Sequence, residues 1–81
     1  MKNVNIYSLS TCPWCFKTKK FFSDRKIPFA FTDYDTAEEN LQKRIVREMD
    51  AASATGFPFV NIAGEIIVGY QPQRYLSALG I

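Results

Sequence analysis

The sequence predicts an α/β fold with the element order β-α-β-α-β-β-α. Three observations support this order: a strand–helix–strand opening, an amphipathic helix in mid-chain, and two short apolar runs separated by a two-residue turn. A strand–helix–strand unit implies parallel strands joined by a right-handed crossover, and a hairpin adds antiparallel strands, so the sheet should be mixed. The length of 81 residues suits one domain, which we expect to span residues 1–81.

The first half of the chain supplies two strands and a helix. Residues 4–9 (VNIYSL) predict a short strand that stops at a polar stretch. Pro13 suits a first helical turn, because its missing N–H would have no partner there, and this helix should run to about Lys26. Aromatic residues 29–34 (FAFTDY) predict the second strand. The inward face of the helix is expected to carry Cys15, Thr18 and Phe22, with Phe21 flanking them.

The second half predicts a helix, a hairpin and a last short helix. Thr36 begins a capping-box pattern (TAEE), which predicts a helix start, and the helix should run to about Asp50. Residues 58–62 and 65–68 predict two strands joined through a tight turn. Pro72 again suits the start of a helix. The apolar stripe of the middle helix is expected to be Ala37, Leu41, Ile45 and Met49.

Charge and hydropathy patterning exclude several classes of partner. A net charge of +2 is too small to indicate nucleic-acid binding. No segment approaches the ~20 apolar residues of a membrane span, and residues 1–10 (MKNVNIYSLS) lack the apolar region of a signal peptide. We therefore expect a cytoplasmic protein, and that reducing compartment disfavours a static disulfide. The basic residues of the first two helices are interpreted as solvated faces: Lys17, Lys19, Lys20, Lys43, Arg44 and Arg47.

Both cysteines lie in the sequence TCPWC, at the junction of the first strand and the first helix. Cys12 falls at or near the N-cap, where unpaired backbone N–H groups and the helix dipole favour an anionic sulfur. Cys15 lies one turn along on the same face and heads the inward stripe, so it should be close to Cys12 and more buried. Tyr7, in the preceding strand, could line this site or fill the core.

Three roles for such a pair were compared. A redox dithiol is favoured, because a CxxC sequence at a strand–helix junction in a βαβ context is typical of reversible exchange. A metal site is disfavoured, because two thiolates are half of a zinc or iron–sulfur ligand set and the sequence has no histidine or third cysteine. A structural disulfide is disfavoured, because closing so short a loop gives little entropic stabilisation.

With these residues in view, the chain resembles the glutaredoxins and the related NrdH-type redoxins. The resemblance covers essentially the full length and depends on three sequences: TCPWC after the first strand, FPFV entering the third, and GYQP before the last helix. It implies a thioredoxin-like fold, with a four-stranded mixed sheet in the order 2-1-3-4 flanked by three helices. It also implies a dithiol–disulfide oxidoreductase that acts as a monomer and needs no tightly bound cofactor.

The resemblance assigns roles around the two cysteines. Cys12 is implied to be the nucleophile that opens a substrate disulfide, and Cys15 to resolve the mixed disulfide. Pro58 corresponds to the family's cis-proline, beside which the backbone of Phe57 would pair with a bound peptide. Trp14 would border the glutathione groove. No residue is assigned to a metal, and the candidate substrate- or thiol-binding residues are Thr11, Pro13, Trp14, Phe57, Pro58, Gly69, Tyr70 and Gln71.

The electron donor implied by the resemblance is either a thiol or a flavoenzyme. Many glutaredoxins have a lysine where this chain has Leu9, and a Gly-Gly-x-Asp-Asp type segment where it has residues 68–72 (VGYQP), which is closer to the Gly-Phe-Arg-Pro segment of NrdH-type redoxins. Glutathione, another low-molecular-weight thiol or a thioredoxin-reductase-type flavoenzyme could serve, and we expect recycling without glutathione. The expected client is a disulfide-containing protein such as ribonucleotide reductase. The alternative function is a dimeric iron–sulfur carrier that uses Cys12 and an external thiol.

Overall fold

The computed structural model describes residues 2–81 and contains the predicted element types in the predicted order. A short 3-10 turn, Tyr34–Thr36, lies between the second strand and the second helix. Along the chain, the elements are β1 (Val4–Ser8), α1 (Pro13–Asp24), β2 (Ala30–Asp33), α2 (Glu39–Ala51), β3 (Phe59–Ile62), β4 (Glu65–Val68) and α3 (Pro72–Leu79).

The four strands form one mixed sheet in the order β2-β1-β3-β4, which confirms the order that the family resemblance implied. β1 pairs with β2 in parallel, while β3 is antiparallel to both β1 and β4. The β3–β4 connection is a two-residue turn in which Ala63 and Gly64 both have positive φ, 52° and 96°. Two positive φ values in succession match the twist of the flanking strands, and they explain the tight hairpin.

The sheet brings four strand ends to one edge. Ser8 at the end of β1 is opposite Asp33 at the end of β2, and neighbouring Tyr7 is opposite Phe59 at the start of β3. Phe59 in turn is opposite Val68 at the end of β4. The loops that follow β1, β2 and β4, and the loop that precedes β3, therefore meet at the same end of the molecule.

The two faces of the sheet are covered by different helices. On the α1 and α3 side, the sheet packs against fully buried Phe22 and Tyr75. On the other side, α2 packs Ile45 and Met49 against Phe59 of β3. Each large side chain that is removed from water in this way contributes about 1.5–3 kcal/mol to the free energy of folding.

Helix α1 begins where predicted and ends two residues earlier, at Asp24. Lys26 adopts a left-handed conformation with φ 57°, its N–H donates to Ser23 O at 3.0 Å, and Ile27 N–H donates to Phe22 O at 2.9 Å. This pair of bonds is a Schellman motif, which ends a helix and satisfies its last carbonyls. The sequence signal was weak because a lysine occupies the position that glycine usually takes.

The predicted capping box at Thr36 is wrong. Thr36 belongs to the 3-10 turn, and its hydroxyl donates to Asp33 O at 3.3 Å. The N-cap of α2 is Glu38, whose carboxylate accepts from Leu41 N–H at 3.0 Å. Ala37 consequently lies before the helix and outside its buried stripe. The 3-10 turn after β2 includes Thr36, with which the TAEE pattern begins. The helix therefore starts later than the local sequence indicates.

Candidate active site

The loop after β1 places Cys12 at the N-cap of α1. Cys12 has extended backbone angles (φ −89°, ψ 116°), and its sulfur accepts a hydrogen bond from the backbone N–H of Cys15 at 3.3 Å. Pro13 occupies the first helical position, and no acidic residue lies in the first turn. A sulfur anion at Cys12 is therefore stabilised by a backbone donor and by the positive end of the helix dipole, without a competing carboxylate in that turn.

The second cysteine has a contrasting environment. Cys15 is fully buried, whereas Cys12 is only half-buried, and neither is in a disulfide. Burial, together with a hydrogen bond and the charge of Cys12, raises the pKa of Cys15 to about 12. A backbone hydrogen bond at Leu9 and the charge of Lys19 act in the opposite direction. The accessible sulfur thus lies at the helix N-cap, and the shielded sulfur is in a setting that favours the neutral thiol.

Four of the predicted binding residues line one shallow groove beside the cysteines. Trp14, Phe57, Gly69 and Tyr70 enclose a cavity of about 280 Å³. The rings of Trp14 and Tyr70 stack with centroids 5.9 Å apart, and Trp14 is 52% exposed. An exposed aromatic floor with open backbone at its rim suits an extended peptide or a small thiol.

The Phe57–Pro58 peptide bond is cis, as the resemblance implied. Pro58 is buried, and its carbonyl accepts from Gly69 N–H at 2.8 Å, so the start of β3 and the end of β4 are tied together. Among residues 2–81, neither the amide nor the carbonyl of Phe57 makes a hydrogen bond. These backbone groups are available to a bound strand.

The remaining predicted residues lie around this groove or outside it. Thr11 and Pro13 are exposed next to Cys12. Gln71 does not line the groove; its side-chain amide donates to Val68 O at 2.6 Å. Tyr7 is partly buried on the α2 side of the sheet, where it stacks on Phe59 with centroids 5.4 Å apart, so it packs against the core and does not line the groove.

Comparison with known proteins identifies this arrangement. Residues 4–67 match the family model for glutaredoxin. The chain belongs to the glutaredoxin family. An "uncharacterized glutaredoxin-like 8.6 kDa protein in rubredoxin operon" of Clostridium pasteurianum is 39% identical over 67 residues, which are 83% of this chain and 84% of that relative.

Solved glutaredoxin structures superpose closely. The glutaredoxin of Methanosarcina mazei Go1 is 34% identical with a TM-score of 0.87, over 98% of this chain and 79% of that one. The methanoredoxin of Methanosarcina acetivorans is 30% identical with a TM-score of 0.83, over 98% of this chain and 85% of that one. The thioredoxin-like fold is confirmed, and the chain is a thiol–disulfide oxidoreductase. Glutaredoxins draw electrons from glutathione or from thioredoxin-type reductants.

The sequence did not identify Tyr75 as part of this glutaredoxin site. Tyr75 is fully buried on α3, and its hydroxyl donates to Gly69 O and lies 3.3 Å from the Thr18 hydroxyl of α1. It therefore links the active-site helix to the loop that forms the groove. The signal was available, because a buried tyrosine hydroxyl needs a partner, but the sequence gives no indication of which one.

The prediction that Lys19 lies on a solvated face of α1 is wrong. Its ammonium lies 2.9 Å from Asp33 Oδ1, and both side chains are 21% exposed. The same ammonium lies 3.9 Å from the centroid of the Phe31 ring. The Ser8 hydroxyl donates to Asp33 at 2.6 Å, and this bond and Lys19 hold the pKa of Asp33 below its usual range.

Within residues 2–81, no three His, Cys, Asp or Glu side chains lie together as a metal-binding group would. No helix in this part of the chain has the length and apolar character needed to cross a bilayer.

Proposed function

We propose that this glutaredoxin reduces disulfides by a dithiol mechanism in which Cys12 attacks and Cys15 resolves. The Cys12 thiolate attacks one sulfur of the substrate, a mixed disulfide forms, and the other substrate sulfur leaves as a thiolate. The Cys15 thiolate then attacks Cys12 Sγ, which releases the second substrate thiolate and forms the Cys12–Cys15 disulfide. Two electrons pass from the protein to the substrate, and each released thiolate takes up a proton according to its pKa.

The observation that carries this proposal is the asymmetry between the two cysteines. Cys12 is accessible at a helix N-cap and accepts the N–H of Cys15 at 3.3 Å, whereas Cys15 is buried with a pKa of about 12. Exchange needs an attacking group that is exposed and anionic. The same N-cap setting also makes Cys12 a good leaving group when another thiol attacks the outer sulfur of a mixed disulfide on Cys12, because the Cys12 sulfur anion that departs is stabilised.

We further propose that the groove takes a protein disulfide in an extended conformation, with ribonucleotide reductase as a candidate client from the NrdH-like segment. The free backbone groups of Phe57 would pair with the strand, and the rings of Trp14 and Tyr70 would contact its side chains. Thr11 and Pro13 flank the attacking sulfur. Gln71 acts from outside the groove by bracing the loop after β4.

We propose recycling by a thioredoxin-reductase-type flavoenzyme in preference to glutathione. The residues that line the groove carry no charge, so the two carboxylates of glutathione would find no ion-pair partner in it. Two cations lie near the groove without lining it: Lys17 lies over the Trp14 ring at 4.6 Å, and Arg74 donates to Gln71 at 3.4 Å. Each missing charge-assisted hydrogen bond, worth about 1.5–3 kcal/mol, weakens binding roughly tenfold or more.

The experiment compares turnover of one disulfide substrate with glutathione plus its reductase against turnover with thioredoxin reductase. Faster recycling by the flavoenzyme is expected, and faster recycling by glutathione contradicts the proposed donor. Cys12→Ser should abolish turnover, and Cys15→Ser should accumulate mixed disulfides. Full activity of Cys12→Ser would disprove the mechanism itself.

Purification under anaerobic conditions tests the monomeric, cofactor-free form that we propose against the alternative. A colourless monomer agrees with the exchange function. A coloured dimer that loses its colour in Cys12→Ser would instead support the iron–sulfur carrier.

A further inference from the structure

Lys19 differs from the other two lysines of α1, which are exposed, in being partly buried. Lys20, its neighbour, is 63% exposed and makes an ordinary surface ion pair with Asp24 at 3.3 Å. Lys19 is 21% exposed, and its ammonium is placed between the Asp33 carboxylate at 2.9 Å and the Phe31 ring at 3.9 Å. A lysine chain has large rotamer freedom, so two such contacts fix a charge that would otherwise be mobile.

The partner of Lys19 is itself anchored in the sheet. Asp33 ends β2 and accepts the hydroxyl of Ser8, which is fully buried at the end of β1. Through Asp33, the ammonium is therefore attached to the two strands whose ends border the active site. Lys19 lies four residues after Cys15, so the two side chains share one face of the helix.

Cys15 faces several titratable groups, of which one is a cation. Cys12 at the N-cap and Lys19 one turn along α1 act on the pKa of Cys15, and Cys15 acts on the pKa of the buried Tyr75 hydroxyl of α3. Asp33, at the end of β2, is the counter-ion of the Lys19 ammonium.

The balance of these influences changes during the reaction. In the reduced protein, Cys12 raises the pKa of Cys15 through its hydrogen bond and its charge. Once Cys12 is bound to a substrate sulfur, it carries neither a charge nor a thiol proton. In the mixed disulfide, burial is then the one remaining influence among these that raises the pKa of Cys15, while the charge of Lys19 and the backbone hydrogen bond at Leu9 lower it. This is the state in which Cys15 must attack.

We propose that Lys19 is a positioning residue that favours the thiolate of Cys15 in the mixed disulfide and thereby sets the rate of the resolving step. This rests on the proposed function, in which Cys15 attacks Cys12 Sγ, the bond from Cys12 to the substrate breaks, and the substrate leaves as a thiolate. The proton that Cys15 loses passes to solvent. Lys19 remains protonated throughout and supplies charge only.

Loss of the Lys19 ammonium should change the rate of the resolving step in two opposing ways, through the thiolate fraction of Cys15 and through the nucleophilicity of that thiolate. For each unit by which loss of the ammonium raises the pKa of Cys15, its thiolate fraction at neutral pH falls tenfold. A more basic thiolate is more nucleophilic, with a Brønsted coefficient of about 0.4–0.5, which returns a factor of about three. The resolving step should therefore slow about threefold per unit, and its pH profile should move to higher pH.

The test follows both steps with dithiodipyridine, a neutral aromatic disulfide that releases one thiopyridone when Cys12 attacks and a second when Cys15 resolves. Stopped-flow absorbance over a range of pH separates the two phases. Lys19→Gln is compared with Lys19→Arg, which keeps the charge, and with Lys20→Gln, which removes an exposed charge from the same helix.

We expect Lys19→Gln to slow the second phase at neutral pH and to shift its pH profile upward, with about a threefold loss of rate for each unit of that shift. Lys19→Arg should restore most of the rate, and Lys20→Gln should match the wild type. A second phase in Lys19→Gln with the rate and pH profile of Lys20→Gln overturns the inference, and so does an equal loss in Lys19→Arg without a pH shift. Release of one thiopyridone only by the wild type contradicts the proposed function instead.

Discussion

Burial of Cys15 predicts that its thiol is nearly inert in the folded protein, and this can be measured in Cys12→Ser, where it is the only cysteine. At a pKa of about 12, one thiol in ~10⁴ is ionised at pH 8, against about a quarter for an ordinary thiol with a pKa of ~8.5. Because the Cys15 thiolate is more basic than an ordinary thiolate, it is also more nucleophilic, by a factor of about 25–56, which offsets part of this difference in ionisation. Ionisation alone therefore slows attack on a disulfide reagent about 40- to 100-fold.

The substitution removes the two contributions of Cys12 but keeps burial, which is the largest cause of the raised pKa. We therefore expect folded Cys12→Ser to react with dithiodipyridine at least about tenfold more slowly than the same protein unfolded in guanidinium. Cys15→Ser is the matched control, because its remaining Cys12 should react rapidly when folded. Equal rates for folded and unfolded Cys12→Ser would refute the assignment of Cys15 as the shielded thiol.

Three further predictions concern the groups around the site. Tyr75→Phe removes the hydroxyl that bonds Thr18 and Gly69, so the free energy of unfolding measured with urea should fall by about 1–3 kcal/mol; an unchanged midpoint argues against this link. Trp14→Ala should raise KM for a protein disulfide while leaving the reaction of Cys12 with dithiodipyridine within about twofold, and a parallel loss in both would indicate a damaged fold. Because the pKa of Asp33 is lowered in the folded protein, its carboxylate contributes stability. That stability is present above the unfolded-state pKa of ~3.9 and is lost as pH falls through the folded-state pKa. Asp33→Asn should therefore be less stable than wild type near pH 6, by a margin that shrinks towards about pH 3, and a margin independent of pH contradicts the role of its charge.

The local half of the active site could be predicted because its determinants are adjacent in sequence. Pro13 fixes the start of α1, and the spacing of Cys12 and Cys15 fixes their shared face and their difference in burial. The errors have a common physical origin. The Schellman motif at Lys26 and the late start of α2 at Glu38 both depend on how the chain leaves an element, which local propensity specifies weakly.

The charged contacts of α1 were beyond local reasoning for a different reason. Helical spacing puts Lys19, unlike Lys17 and Lys20, on the face of Cys15, but it does not show that the end of β2 lies opposite Lys19. Whether a lysine is solvated or held depends on which strand is packed beside the helix. A crossover connection puts β2 next to β1, and thus Asp33 within reach of the active-site helix.

The groove shows why strand order matters as much as the cysteine spacing. β3 lies beside β1 and is antiparallel to it. Phe57 and Pro58, which immediately precede β3, therefore reach the edge of the sheet where Cys12 caps α1. β4 is antiparallel to β3, so it ends at the same edge. Gly69 and Tyr70, which follow β4, therefore lie opposite Trp14. With β3 at an outer edge of the sheet, the same CxxC sequence would keep its N-cap and its buried partner. It would then lack the unpaired backbone of Phe57 beside Cys12. In the proposed function, the reactivity of the site is therefore a local property, and its choice of substrate depends on the topology.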